Sequence, residues 1–159
     1  MLIFVMTIEE EIEFCKHGCV SRCLIKLAEL AQKPITKDAF CKRYSHLFPN
    51  PTIQYGLLDE SALTSIMIDL TLPPIALQSD DYDTVYVQNN QHHRMILVFS
   101  KVNLDAGASD PKGHCSVLSG ISPSAFVLWT PKLDGTEGLL PPFARADWAI
   151  KQCSGRVLS

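Results

Sequence analysis

The feature that most constrains the fold is a change in hydrophobic spacing at Pro73-Pro74. Before these prolines, apolar residues recur every three to four positions, which is typical of amphipathic helices. After them come short, nearly continuous apolar runs, such as Met95-Ile96-Leu97-Val98-Phe99, which are typical of buried strands. Helices that precede strands along the chain predict an α+β domain with an antiparallel sheet.

Helices are predicted over residues 7–16, 18–32, 37–48 and 58–70. Lys33-Pro34 ends the second of these, because a residue before proline disfavours the helical region. Thr36 is the expected N-cap of the third. A shorter helix that contains Trp148 is predicted over residues 143–152.

Strands are predicted over residues 75–77, 94–100, 114–121 and 125–130, with a last one over 155–158. Ser122-Pro123-Ser124 joins two of them as a hairpin. The pattern over residues 80–91 fits either a strand or a helical turn. Residues 103–113 and 131–142, which are rich in glycine, proline, aspartate or serine, are predicted to be loops.

The chain has 159 residues, a net charge of -3 and 19% charged residues, which together predict one globular domain over residues 1–159. The charge balance argues against nucleic-acid binding. The apolar start is short and lacks a basic region before it or a cleavage site after it, so neither a signal peptide nor membrane insertion is expected. A cytoplasmic location is predicted, or delivery into another cell without a classical signal peptide.

Cys19 lies where a nucleophilic thiol would be placed, directly after Gly18 and at the first turn of a predicted helix. The positive end of the helix macrodipole and its unpaired N–H groups favour the thiolate, which is the nucleophile. The competing interpretation is a small buried residue at the top of a core helix. The chain has six cysteines, and without an export signal we expect thiols rather than disulfides.

His114 begins a predicted strand after a long loop. Nucleophilic thiol chemistry needs a base within hydrogen-bond reach of the sulfur and a third polar group that orients this base. On its own, His114 could equally be a surface or metal-binding histidine. The order of an early helix-borne cysteine and a late histidine favours the catalytic interpretation.

These motifs resemble those of papain-like cysteine peptidases, and more narrowly the small bacterial branch that includes the double-glycine leader peptidases. The nucleophile of that branch lies in a Cys-Gly-x-x-Cys-Leu pattern, similar to the run from Cys19 to Leu24. Its histidine begins a strand similar to the run from His114 to Ile121, and a strand ending in Asp-Pro is similar to Trp129-Thr130-Pro131. The resemblance spans about residues 18–148.

The resemblance implies a papain-like fold, with N-terminal helices packed on a C-terminal antiparallel sheet. It implies Cys19 as nucleophile, His114 as general base, and either Thr130 or Asp134 as the group that orients the base. No cofactor and no metal are implied. The substrate would be a peptide or a protein, and the reaction either peptide hydrolysis or a related acyl transfer such as deamidation.

Two departures from the family pattern bear on activity. Glu13 stands where the family has the glutamine of the oxyanion hole, and a carboxylate donates no hydrogen bond unless it is protonated. Ser21 and His17 are the alternative donors. Thr130 stands where the family has an aspartate. The alternative function is therefore an inactive papain-like domain that binds a peptide or protein partner.

Other sites were weighed against this one. Cys15, Cys19 and Cys23 are spaced by four residues and, with His17 and His114, would offer zinc or iron–sulfur ligands, although the chain lacks the usual Cys-x2-Cys knuckle. His92-His93 and the acidic run over residues 80–83 are interpreted as solvated surface.

Overall fold

The structure, a computed structural model, describes residues 7–9, 18–44, 47, 60–101, 114–132 and 136–159. The described residues form five helices and a seven-stranded antiparallel sheet, so the predicted α+β class is confirmed. Contacts divide the chain into two compact units. One comprises Met1–Leu72 with Pro131–Thr136, and the other comprises Pro73–Thr130 with Glu137–Ser159.

The first unit contains the helices α1 (Cys19–Leu30), α2 (Lys37–Tyr44) and α3 (Glu60–Asp69). All three lie within predicted helices. Leu24, Leu27 and Ala28 are fully buried, as the three-to-four spacing predicts for the inner face of α1. The predicted cap is present, since Thr36 Oγ1 accepts a hydrogen bond from the Ala39 N–H at 3.1 Å.

Polar contacts join the helices of this unit at their ends. Lys33 Nζ, just after α1, donates to Thr71 O at 3.1 Å and to Thr71 Oγ1 at 2.7 Å. The hydroxyl of Tyr44 in α2 donates to the carboxylate of Asp69 in α3, and Arg43 Nη1 lies 3.9 Å from the same carboxylate. These contacts hold the last turns of α1 and α2 to the C-terminal end of α3.

The second unit contains the sheet, whose strands lie in the order β1-β7-β2-β3-β4-β5, with β6 paired to β4. The strands are β1 (Ile75–Ser79), β2 (Ile96–Ser100), β3 (His114–Ile121), β4 (Ala125–Pro131), β5 (Glu137–Leu139), β6 (Phe143–Ala144) and β7 (Cys153–Leu158). The predicted strands and the β3–β4 hairpin are confirmed.

Two helices pack on one face of the sheet, α4 (Tyr82–Asn90) and α5 (Arg145–Ile150). Residues 80–91, which the sequence left open, form α4 because Asp81 caps it by accepting the Thr84 N–H at 3.0 Å. The core under both helices consists of Tyr82, Val85, Ile96, Val98, Leu118, Phe126, Leu128, Leu140, Trp148, Cys153 and Val157. Tyr82 is thus a core residue, although the predicted surface acids around it are exposed.

Trp148 is the centre of the aromatic part of this core. Its ring lies 5.6 Å from the ring of Tyr82 and 5.4 Å from that of Phe126, both edge to face. Its Nε1 donates to Asp80 O at 2.8 Å. The indole N–H is the only hydrogen-bond donor of this buried side chain, and its bond to Asp80 O holds α5 against the start of α4.

Two predicted boundaries are wrong. The segment predicted as a loop over residues 131–142 contains β5, because its backbone finds partners in the sheet, as in the 3.0 Å bond from the Leu140 N–H to Leu128 O. The helix predicted over 143–152 begins only at Arg145, after the short strand β6. There Asp147 accepts the Ala144 N–H at 3.1 Å and so caps the helix from inside.

Two predicted segments lie wholly or mostly outside the described residues. These are the loop over residues 103–113 and the helix over residues 7–16, of which only Thr7, Ile8 and Glu9 are described. His92 and His93 are exposed after the end of α4, as expected for a solvated turn. Over the described residues, no helix is long and apolar enough to cross a membrane.

Candidate active site

Cys19 is the first residue of α1 and so lies in the first turn of the helix, as the sequence predicts. The N-cap is Gly18, whose carbonyl accepts the first helical hydrogen bond from the Arg22 N–H at 2.7 Å. Glycine has no side chain to compete for the other N–H groups, and the first turn contains no acidic residue that would oppose a negative charge. The side chain of Cys19 is half-buried, so the thiol combines some solvent access with the positive end of a helix.

The neighbours of Cys19 in α1 are buried. Cys23 is fully buried one turn further on. Ser21, a candidate oxyanion donor, is also fully buried. The other two candidates, Glu13 and His17, lie outside the described residues.

Arg22 was not singled out from the sequence, yet it is a charged side chain with only 6% exposure. Its Nη1 donates to Lys132 O at 2.7 Å and its Nη2 to Thr136 O at 2.9 Å. The Lys132 N–H also donates to Thr136 O, at 2.8 Å. The guanidinium fork therefore binds two backbone carbonyls of the same unit, those of Lys132 and Thr136.

His114 is the first residue of β3 in the second unit and is 8% exposed. Its Nε2 contacts Thr130 Oγ1 on β4, so the predicted contact between these two residues is present. Ser116 Oγ also donates to Thr130 Oγ1, at 3.1 Å. Ser116 and Thr130 are fully buried. Asp134, the other candidate for orienting the base, lies outside the described residues.

Strand alternation explains why these polar groups share one face of the sheet. Ser100 at the end of β2 pairs with His114 at the start of β3, and Ser116 follows two residues later on the same face. In β4, Thr130 lies two residues beyond the core residue Leu128. The apolar face of the sheet thus ends in a row of buried polar side chains.

A β-bulge in β3 brings His114 and Ser116 onto the same face of the sheet as Thr130. The register next to the hairpin turn, continued without interruption, would pair Val117 with Thr130. The structure pairs Val117 with Trp129 instead, because Ser119 is an extra residue in β3. A slip of one residue exchanges the two faces of a strand, so the bulge in β3 is what puts His114 and Ser116 on the face of Thr130.

Ser116 is part of this cluster and was missed in the sequence analysis. Its position two residues after His114 places both side chains on one face of a strand, and this signal was available. What sequence alone does not reveal is the bulge, on which the contact with Thr130 depends. Without it, the hydroxyl of Thr130 and that of Ser116 would lie on opposite faces.

The cysteines differ in environment. The five described cysteines are thiols, of which Cys23, Cys41, Cys115 and Cys153 are buried. Burial raises the pKa of Cys153 from 9.0 to about 11, which keeps that thiol protonated and unreactive at neutral pH. Cys19 is the most accessible of the five.

Metal binding is the alternative use of the cysteine and histidine side chains. Within the described part of the chain, histidine, cysteine and acidic side chains form no group of three that could hold a metal ion. Cys15 and His17, which the zinc or iron–sulfur alternative requires, lie outside that part.

No family model, curated protein or solved structure matches this chain. Function therefore has to be inferred from the residues of each unit. The first unit places Cys19 at a helix N-terminus, and the second places His114 in a buried hydroxyl network.

Proposed function

We propose that this chain is a papain-like cysteine hydrolase, related to the double-glycine leader peptidase branch, that acts on an amide bond of a peptide or protein. Cys19 is the nucleophile, His114 the general base and Thr130 the group that orients the base. The observation that carries the proposal is the buried contact between His114 Nε2 and Thr130 Oγ1. A histidine held through one ring nitrogen by a side-chain oxygen has its ring orientation fixed, which a general base requires.

In the proposed reaction, His114 takes the proton of the Cys19 thiol, and the sulfur attacks the carbonyl carbon of the amide. The imidazolium then gives its proton to the leaving nitrogen as the C–N bond breaks, which leaves a thioester on Cys19. Water, deprotonated by His114, attacks the thioester, releases the acid and restores the thiol. The reaction is a peptidase reaction if the leaving group is an amine and a deamidase reaction if it is ammonia.

The backbone N–H of Cys19, at the start of α1, is the proposed first donor to the oxyanion. Ser21 and His17 are the proposed alternatives for the second donor, and Glu13 fits that role only when protonated. We further propose a reducing, cytoplasmic environment, in which a catalytic thiol is kept reduced.

The proposal is tested by the rate at which iodoacetamide labels Cys19 between pH 5 and pH 9. A thiolate paired with histidine reacts at pH 6 about a hundredfold faster than an ordinary thiol with a pKa of about 8.5. His114→Ala should abolish this low-pH reactivity, whereas His92→Ala, which removes an exposed histidine, should not. Cys19→Ser identifies the labelled residue by mass spectrometry.

Turnover is tested with a library of quenched fluorescent peptides, and ammonia release from glutamine-containing peptides separates deamidation from cleavage.

A specific observation favours the alternative of an inactive binding domain. Thr130 offers a neutral hydroxyl where the related enzymes have a carboxylate, and a hydroxyl stabilises an imidazolium less well. Identical pH profiles for the parent protein and His114→Ala would favour that alternative.

A further inference from the structure

One face of α1 carries four residues spaced three or four positions apart, namely Cys19, Arg22, Lys26 and Glu29. Residues with this spacing lie on the same side of a helix. The side chain of Glu29 is 62% exposed and that of Lys26 is 23% exposed, whereas Arg22 is 6% exposed. Burial of this polar face therefore increases along α1 from its C-terminal end towards Arg22, one turn from the half-buried Cys19.

The cover over Arg22 includes the backbone of Lys132 and Thr136, which belong to the same unit as α1. Arg22 Nη1 donates to Lys132 O at 2.7 Å, and Nη2 donates to Thr136 O at 2.9 Å. A long side chain on a helix points back over the turn that precedes it. For Arg22 this is the turn of Cys19, and the Cβ atoms of residues three apart are about 5–6 Å from each other. The guanidinium therefore holds the two carbonyls alongside the first turn of α1.

We propose that Arg22 is a positioning residue that holds Lys132 and Thr136 beside Cys19 and so narrows the access of substrates to this thiol. This inference deepens the proposed function and rests on it for the catalytic meaning of Cys19. An amide on an extended, flexible segment can enter a narrow opening, whereas an amide on a rigid folded surface cannot. The substrate class that fits is an unfolded peptide segment or a chain terminus.

Arginine suits this task because its planar guanidinium reaches two carbonyl oxygens at once. Hydrogen bonds from a charged donor are also stronger than neutral ones. The Lys132 N–H donates to Thr136 O as well, so the bonds of Arg22 add to one that the backbone makes by itself. Loss of the fork should therefore loosen Lys132 and Thr136 while α1 stays folded, since its inner face is buried independently of Arg22.

The test compares the rates at which two reagents of the same chemistry and different size label Cys19. These are iodoacetamide and iodoacetamidofluorescein, used at one fixed pH and followed by peptide mapping of the segment that contains Cys19. Both reagents attack the same thiolate, so the ratio of the two rates does not depend on how much thiolate is present. The ratio for N-acetylcysteine gives the value for a fully open thiol.

In the parent protein, the larger reagent should be disfavoured relative to its reaction with N-acetylcysteine. Arg22→Gln should raise the ratio of the large to the small reagent about fivefold, the factor that corresponds to one net hydrogen bond. Lys26→Gln is the matched control, because Lys26 lies on the same face of α1 and its Nζ contacts the Glu29 carboxylate at 3.6 Å. This control should leave the ratio unchanged.

The proposal is overturned if correctly folded Arg22→Gln has the ratio of the parent protein, because Arg22 then only stabilises the fold. It is also overturned if the parent protein already has the ratio of N-acetylcysteine, or if Lys26→Gln raises the ratio as much as Arg22→Gln does. Should Arg22→Gln not fold, Arg22→Lys decides in the same way, because it keeps the charge and loses the planar fork.

The labelling ratio and the proposed function can fail separately. A ratio that rises in Arg22→Gln, together with low-pH labelling of Cys19 that does not depend on His114, would support the positioning role and reject the hydrolase. An unchanged ratio, together with low-pH labelling that does depend on His114, would support the hydrolase and reject the positioning role.

Discussion

Ser116 and Thr130 face each other across β3 and β4, and their hydroxyl oxygens lie 3.1 Å apart in a fully buried position. Buried polar groups are tolerated when they bond to each other and are costly when a partner is lost. The stability of the second unit and the state of His114 should therefore depend on the same two hydroxyl groups.

Thr130→Val should lower the free energy of unfolding by about 1–3 kcal/mol, because it replaces a buried hydroxyl that contacts both His114 and Ser116 with a methyl group. Thr130→Ser keeps the hydroxyl and should cost only about 1 kcal/mol for the lost methyl group. Urea denaturation followed by circular dichroism measures both. If Thr130→Val is as stable as the parent protein, the hydroxyl contacts do not stabilise the fold.

Gly155→Ala should destabilise the packing between α4 and β7 by about 1–3 kcal/mol. A Cβ atom at this position would lie 2.8 Å from a methyl carbon of Val85, a buried and conformationally stiff side chain. Gly120→Ala is the control, since a Cβ atom there would meet nothing within 4 Å. Thermal melting of both variants checks the difference; equal melting temperatures would show that Val85 gives way.

The raised pKa of Cys153 predicts a loss of stability at alkaline pH. Below about pH 9 the thiol is protonated in both the folded and the unfolded chain. Between pH 9.0 and about 11 the unfolded chain releases this proton while the folded protein retains it, so stability falls as pH rises through that range. Cys153→Ala should show a shallower fall in the free energy of unfolding between pH 8 and pH 11.

A residual slope is expected in Cys153→Ala. Burial raises the pKa of Tyr82, as it does that of Tyr44, whose hydroxyl also donates to Asp69. As pH rises, these tyrosines ionise first in the unfolded chain, so they too lower the stability of the folded state. Parallel curves for the parent protein and Cys153→Ala would contradict the contribution assigned to the thiol.

Among the described cysteines, Cys19 should be alkylated first in the native protein. Its side chain is half-buried, whereas Cys23 and Cys153 are at most 2% exposed and react only after the fold opens. Peptide mapping after short exposure to iodoacetamide, with and without urea, gives the order of labelling. Labelling of Cys153 before Cys19 under native conditions would be incompatible with the burial described.

Arg22→Lys should destabilise the first unit although it keeps the charge. A lysine ammonium cannot reproduce the planar fork that reaches both Lys132 O and Thr136 O. The expected loss is about 1–3 kcal/mol, since at least one part-buried hydrogen bond from the guanidinium is lost. Lys26→Arg is the control, because it exchanges the same two residue types elsewhere on α1. It should change the free energy of unfolding by less than about 0.5 kcal/mol. Similar denaturation midpoints for Arg22→Lys and Lys26→Arg would argue against a stabilising role for the two hydrogen bonds of Arg22.

The sequence predicted the elements with strong periodicity and missed those that depend on tertiary partners. The strand over residues 114–121 was placed to the residue, and the helix predicted over residues 18–32 begins one residue later, at Cys19. The helix α4 was left open because Val85 and Val87 favour strands, and the cap at Asp81 outweighs them. Strand β5 was missed because three residues carry no periodicity and form a strand only by pairing.

The candidate site was predictable in part. The types of residue at Cys19 and His114 indicated the chemistry, and the partner Thr130 followed from the resemblance. Ser116 was missed because its contact depends on register, and the extra residue Ser119 shifts that register by one. Local sequence does not determine such a bulge, since the pairing of distant strands decides where it forms.

The residues that follow four helices have a positive φ although none is glycine: Gln32 at 61°, Thr71 at 54°, His93 at 54° and Gln152 at 51°. For residues other than glycine, this conformation costs roughly 1 kcal/mol or more. Thr71 also binds Lys33, so it is not available for exchange. Glycine at each of the other three positions should raise the free energy of unfolding by a few tenths to about 1 kcal/mol. A background carrying these three glycines would tolerate damaging changes at Ser116 or Thr130, and would allow chemistry to be measured apart from folding.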